Sequence, residues 1–187
     1  IELDPDYSIA YINRGVAKQN LKDYYGAIAD YTKAIELDPD YSIAYNNRGI
    51  TKDKLKDYNG AIADYTKSIE LKPDNDYIYQ KRGEASAKIK DYTSAIDDYT
   101  KAIELDPDYP QYYSNRAWYK ILKNDFYSAI DDCNKAIQLD PNYGPAYNNR
   151  GNAKNKLDDL KGACSDWTIA SKMGNKYAQE SLKKLCN

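Results

Sequence analysis

Adjacent carboxylates occur at Asp97 and Asp98, Asp131 and Asp132, and Asp158 and Asp159, and paired carboxylates are the apparatus of glycoside hydrolysis. Consecutive helix residues diverge by about 100° around the axis, so a pair in sequence makes no acid–base dyad. Asp74-Asn75-Asp76 resembles the start of a calcium loop but lacks the glycine and closing glutamate that such a loop needs. The chain has no histidine, which excludes Ser-His-Asp and Cys-His catalysis and histidine-containing metal sites. Its three cysteines, Cys133, Cys164 and Cys186, have no metal-ligand spacing and read as reduced thiols. No glycine loop is placed to cradle phosphate. The segment therefore reads as not an enzyme, with no metal and no cofactor.

What does recur is a pair of opposite charges. Arg14, Arg48, Arg82, Arg116 and Arg150 stand 34 residues apart, and so do Asp30, Asp64, Asp98, Asp132 and Asp166. Constant spacing suggests a structural ladder of Arg–Asp pairs within or between repeats, with ligand capture the lesser alternative.

The elements that must position these charges follow from the same period. It runs through Pro5, Pro39, Pro73, Pro107 and Pro141, through Gly15, Gly49, Gly83, Ala117 and Gly151, and through Ala27, Ala61, Ala95, Ala129 and Ala163. Tyr11, Tyr45, Tyr79, Tyr113 and Tyr147 keep it too, so the repeat is read before any local element. In the second copy Tyr45, Gly49, Lys52 and Leu55 mark one helical face, and Tyr58, Ile62, Tyr65, Ile69 and Leu71 mark another. Asp57 lies between them as an N-cap, with Asp23, Asp91, Asp125 and Asp159 in its place elsewhere. "DPDY" then stops the second helix. Gly49 and Ala61 are small where two helix axes approach closely. One such hairpin cannot bury both faces, so the copies must stack.

Tyr11-x2-Arg14-Gly15-x2-Lys18, then Ala27-x3-Tyr31, then Pro39 resembles the tetratricopeptide repeat (TPR), five times over and in a form similar to bacterial arrays. The arginines stand where that family has leucine. The resemblance implies an all-α, right-handed α-solenoid of antiparallel helix pairs. Its function would be that of a protein-protein interaction scaffold or adaptor, holding an extended peptide or helix in the concave groove of the first helices. The expected division is one domain over 1–187: the end of a preceding repeat at 1–7, repeats at 8–41, 42–75, 76–109, 110–143 and 144–175, and a capping helix at 176–186. In that cap Ala178, Leu182 and Leu185 form the packed stripe, while Gln179, Glu180, Lys183 and Lys184 face away.

By the repeat register the groove candidates are Ile12, Asn46, Ile50, Tyr77, Gln80, Glu84, Trp118, Ile121, Asn148 and Asn152. Ile9, Val16 and Ile43 share the face, or pack between first helices. Trp118 is the natural anchor, because indole is costly to expose and valuable at interfaces. The chaperone-adaptor members of the family grip a terminal carboxylate with basic residues. Ile12, Asn46, Gln80, Ser114 and Asn148 occupy the corresponding positions here, so that specificity does not carry over.

A net charge of −2 over 187 residues gives no basic field for nucleic acid, and the 21 tyrosines fall mainly at repeat packing positions. No run suits a membrane span, and a cytoplasmic location is expected. "IELDP" at residues 1–5 repeats Ile35 to Pro39, so the chain is expected to start inside a longer array. An apolar edge left on the first repeat would then be a surface for homo-oligomer formation. The competing readings are a self-assembly element that stacks or dimerises, and a regulatory module of a larger protein.

Overall fold

The computed structural model describes residues 7–186; the expected helix end at residues 1–5 lies outside them. Eleven helices and no strands occur among the described residues. They are α1 (Ser8–Asn20), α2 (Tyr24–Leu37), α3 (Ser42–Lys54), α4 (Tyr58–Leu71), α5 (Asp76–Lys88), α6 (Tyr92–Leu105), α7 (Pro110–Leu122), α8 (Phe126–Leu139), α9 (Gly144–Lys156), α10 (Leu160–Lys172) and α11 (Lys176–Leu185). The chain divides into two compact units, 1–91 and 92–187.

Each second helix starts on an aspartate for a local reason. The carboxylates of Asp23, Asp57 and Asp159 accept from the backbone N–H of Gly26, Gly60 and Gly162 at 2.9–3.0 Å, satisfying a donor that the first turn would otherwise leave orphaned. Asp125 does the same to Ser128 at 3.4 Å. Between first and second helices one residue adopts the left-handed conformation, and it too keeps the 34-residue period: Lys22, Lys56, Lys90, Asn124 and Asp158, with φ between 61° and 65°. Asn and Asp tolerate that region, whereas lysine gains nothing there.

In the first unit α1 packs on α2, α3 on α4, and the hairpins join through α2–α3 and α4–α5. In the second, α7–α8, α8–α9, α9–α10 and α10–α11 continue the same pattern. Paired axes approach closely because a glycine faces a ring. A Cβ on Gly49 would lie 2.9 Å from the Tyr65 ring, and one on Gly151 would lie 2.7 Å from the Trp167 ring and 3.2 Å from the Ala163 carbonyl oxygen. The fourth copy makes the reciprocal choice, packing Ala117 in one buried cluster with the smaller Cys133. Burial pushes the Cys133 thiol up to about 12, so it stays protonated and serves as a small apolar group.

The recurring charges meet across these hairpins. Arg48 Nε and Nη2 donate to both oxygens of Asp64 at 2.9 and 2.7 Å. Arg116 does so to Asp132 at 2.9 and 2.6 Å, Arg150 to Asp166 at 2.9 and 2.6 Å, and Arg14 to Asp30 at 2.8 and 2.5 Å. A lysine one turn after each of these four arginines also reaches the carboxylate: Lys18, Lys52, Lys120 and Lys154, at 2.7–2.8 Å. The remaining guanidinium nitrogen of Arg48 reaches back to Thr32 Oγ1, that of Arg82 to Thr66, that of Arg116 to Thr100 and that of Arg150 to Asn134 Oδ1. Every one of the five arginines also lies 5.2–5.8 Å from the ring centroid of the tyrosine three residues before it. Asp98 occupies the same place on α6 and is buried.

The cysteines depart from expectation. Cys164 and Cys186 are joined in a disulfide with Cα atoms 5.8 Å apart, and only Cys133 is free among the described residues. The bond ties the end of α11 to α10, 22 positions back in the chain.

Four outcomes follow from this packing. Gly151→Ala should lower stability by about 1–3 kcal/mol, because backbone and an indole ring flank the added methyl, whereas Lys56→Gly should raise it by up to about 1 kcal/mol by relieving the left-handed turn; urea titration measures both. Arg116→Met should cost about 3 kcal/mol by leaving Asp132 short of a partner, and a double-mutant cycle with Asp132→Asn showing no coupling would remove the pairing energy. Burial pushes the Asp30 carboxyl up, but hydrogen bonds from Arg14 and Lys18 and their charges outweigh it and hold it below its ordinary value. Its contribution is therefore fully present above the unfolded carboxylate range near about pH 4 and is lost as pH falls below it toward the lower folded value. Asp30→Asn should make the urea midpoint less sensitive to pH across that window.

Candidate functional site

Neighbouring first helices touch along one face, α1 with α3 and α3 with α5 in the first unit, α7 with α9 in the second. The face opposite the second helices carries the groove candidates, and burial sorts them. Ile12 and Ile121 are withdrawn from it: Ile12 packs with Ala27, Tyr31 and Ala44, and Ile121 with Ala117 and Ala129. Both are aliphatic residues on crowded stretches of helix, where the repeat register alone does not separate groove from core. Ile50 is half-buried against the cluster of Tyr65 and Ile78.

On the first unit, Tyr77, Gln80 and Glu84 share successive turns of α5. Gln80 Nε2 donates to Glu84 Oε1 at 2.8 Å, and Lys81 Nζ lies 2.7 Å from Glu84 Oε2 and 5.2 Å from the centroid of the exposed Tyr77 ring. Burial lowers the Lys81 ammonium, but the Glu84 hydrogen bond and charge outweigh that and leave it raised. Burial pushes the Asp53 carboxyl up, and the nearby Glu84 charge adds to it against Lys81 and Lys88. Asn46 lies close by in register, on α3; its Oδ1 is buried and accepts no hydrogen bond.

The second unit brings Trp118, Asn148 and Asn152 to a pocket of about 750 Å³, within the roughly 300–1,000 Å³ usual for small-ligand sites. Trp118 from α7 is 40% exposed, while Asn148 from α9 is only 7% exposed. Asn148 Oδ1 is buried without a hydrogen-bond partner, an arrangement that costs about 1–3 kcal/mol. Its amide nitrogen has Asn149 Oδ1 at 3.5 Å, and Asn149 in turn donates to Ser114 at 3.0 Å. Asn152 Oδ1 accepts from Trp167 Nε1 at 3.1 Å, which leaves its own N–H groups as the donors. The pocket thus carries an aromatic face and the amides of Asn148 and Asn152, with the Asn148 oxygen buried in its wall.

The far wall was not legible in the repeat pattern, since it comes from α11, which follows the last copy. Asn175 caps that helix through Ala178 N–H at 3.0 Å. Ala178, Leu182 and Cys186 pack with Trp167 and Ala170 of α10. Leu185, expected in that stripe, lies instead on the pocket, together with Tyr177, Glu180, Ser181 and Lys184. Glu180 and Lys184, expected to face away, share that wall. The helical spacing of Tyr177, Ser181 and Lys184 was the available signal.

Among the described residues no group of side chains could hold a metal ion, and no helix is long and apolar enough to cross a membrane.

The tetratricopeptide repeat model matches residues 8–41 and 42–75, a TPR repeat model residues 87–118, and a further tetratricopeptide repeat model residues 110–143. No curated protein matches the chain. Among solved structures it is similar to MamA, at 24% identity and TM-score 0.84 over 95% of this chain and 94% of that one. It is similar also to YrrB, described as a TPR protein with an unusual peptide-binding site, at 20% identity and TM-score 0.85 over 97% and 94%. MamA 41-end from Desulfovibrio magneticus RS-1 superposes with TM-score 0.83 at 19% identity, over 89% and 94%. These likenesses show an all-α solenoid fold. With repeat models matched from residue 8 to 75 and from 87 to 143, the chain belongs to the tetratricopeptide repeat family of protein-interaction scaffolds.

Proposed function

We propose that this scaffold recognises a protein partner by holding an extended segment of it against the first helices, with the principal contact in the pocket of the second unit. The observation that carries this reading is Asn148 Oδ1, a buried acceptor with no partner on the wall of a pocket that also holds Trp118. A buried polar atom left unmatched is tolerated where a ligand completes it. Trp118 supplies apolar contact area and Asn152 the complementary donors. Tyr77, Gln80, Glu84, Asn46 and Ile50 would offer a second, more charged surface on the first unit. The description of YrrB as a TPR protein with an unusual peptide-binding site supports a peptide as the ligand class. No catalytic step belongs to the reading. The Cys164–Cys186 disulfide supports an oxidising compartment in place of the cytoplasm that the sequence suggests.

Self-association is the second reading, because Ile9, Val16 and Ile43 of the first unit stay at least 39% exposed. The two separate in one comparison. Purified chain should retain a partner from its source lysate, and Trp118→Ala with Asn148→Ala should lose it while still unfolding in one cooperative transition. Retention unchanged by both substitutions would remove the pocket from the function. A mass that rises with concentration and falls back in Ile9→Ser, Ile43→Ser would make the exposed apolar face a contact between copies.

A further inference from the structure

Helix α11 forms one wall of the pocket and packs chiefly on one helix, α10. It has ten residues, too few to persist alone in water. Ala178 is its one fully buried residue, with Leu182 and Cys186 partly buried beside it. At its start the chain arrives through Gly174 at φ 82° and the Asn175 cap, and at its end Cys186 is bonded to Cys164. Neither cysteine is fully buried. The opposite side of the helix presents Tyr177, Ser181, Lys184 and Leu185 to the pocket.

Resting on the peptide-binding reading above, we infer that the Cys164–Cys186 disulfide sets the affinity of this pocket for an uncharged peptide segment by holding α11 in place as its wall. The segment seats one aromatic or aliphatic side chain between Trp118 and Leu185 and, as the Asn148 amide turns to bring its buried oxygen to the surface, donates a backbone N–H to Oδ1. Asn152, whose oxygen is engaged by Trp167, returns N–H donors to the segment's carbonyl. Glu180 and Lys184 bring one charge of each sign, so the site gains nothing from a net charge on its ligand. Reduction by a dithiol breaks the S–S bond and leaves Cys164 and Cys186 as two thiols. The two electrons and two protons come from the dithiol, which becomes a disulfide. The C-terminal end of α11 is then free to leave α10, and the pocket loses Leu185 and Lys184 while Trp118, Asn148 and Asn152 stay on their own helices.

A library of N-acetylated, C-amidated heptapeptides would be selected on the oxidised protein and the recovered peptides measured by fluorescence anisotropy. Recovered peptides should carry an aromatic or aliphatic residue amid uncharged neighbours. Their Kd should rise at least tenfold on treatment with dithiothreitol and in Cys186→Ser, recover on reoxidation of the wild type, and rise about fivefold in Asn148→Leu. Hydrogen exchange should show α11 amides protected only in the oxidised form, with α7 and α9 unchanged. Peptides lost in Trp118→Ala but bound equally by oxidised and reduced protein would overturn the role of the disulfide and leave the groove reading standing. Recovery of only strongly charged peptides would overturn the ligand class. If no recovered peptide is sensitive to Trp118→Ala, the groove reading falls, and this inference with it.

Discussion

A carboxylate withdrawn from water must be matched, and each described second helix of a hairpin carries one at the same place. Asp64, Asp132 and Asp166 are at most 5% exposed, and each is held by an arginine and a lysine one turn apart on the facing helix. A flat guanidinium fork fixes the relative rotation of two helices in a way that apolar contact does not. Its remaining N–H then reaches the second helix of the preceding copy, at Thr32, Thr100 or Asn134. A single side chain therefore sets the geometry within a hairpin and the join to the one before it. The tyrosine one turn earlier in the same helix keeps the arginine from swinging away. The glycine-to-ring contact beside it fixes the distance between axes, so angle and spacing are decided by neighbouring residues.

That commitment divides the first helix into two sides with different freedoms. The arginine at its fixed offset recurs in every copy and belongs to the hairpin, and the glycine and lysine beside it give way only once each, to Ala117 and to Ser86. The side facing away has no such duty, and its chemistry drifts from Ile9 and Ile43 through Tyr77 and Glu84 to Trp118, Asn148 and Asn152. Recognition can change from copy to copy while the hairpin stays the same, which is how repeat proteins separate stability from specificity.

The same division explains what the sequence discloses. Features enforced in every copy show as periodicity: hairpin boundaries, aspartate caps, the small residues at the helix crossing, the arginines and their carboxylates. The left-handed turn residue is just as periodic in space, but Lys22, Lys56 and Lys90 carry no signature of φ > 0, and only Asn124 and Asp158 do. Ile12 and Ile121 share the groove register yet are buried, because depth on a helix face depends on the neighbours' size. The disulfide was the least legible feature. Cys164 lies inside the last repeat and Cys186 beyond it, so neither has a counterpart in another copy and their meeting depends on how α11 folds back.

The pocket owes its shape to that break in periodicity. The first helices offer an open face, and an open face binds weakly because a ligand on it stays half in water. At α9 the next element is a short helix held by a cap, two small apolar contacts and one covalent bond, with the pocket on its other side. On the proposed reading, a hydrogen bond made beside this wall is worth more than one made in open water, so the buried oxygen of Asn148 would count for more than the same amide on an open turn. Asn46 carries a similarly unmatched oxygen on α3, in the part of the chain that no such helix follows. Equal amides in equal register thus meet different surroundings, and the wall that makes the difference is the one described element that the repeat does not encode.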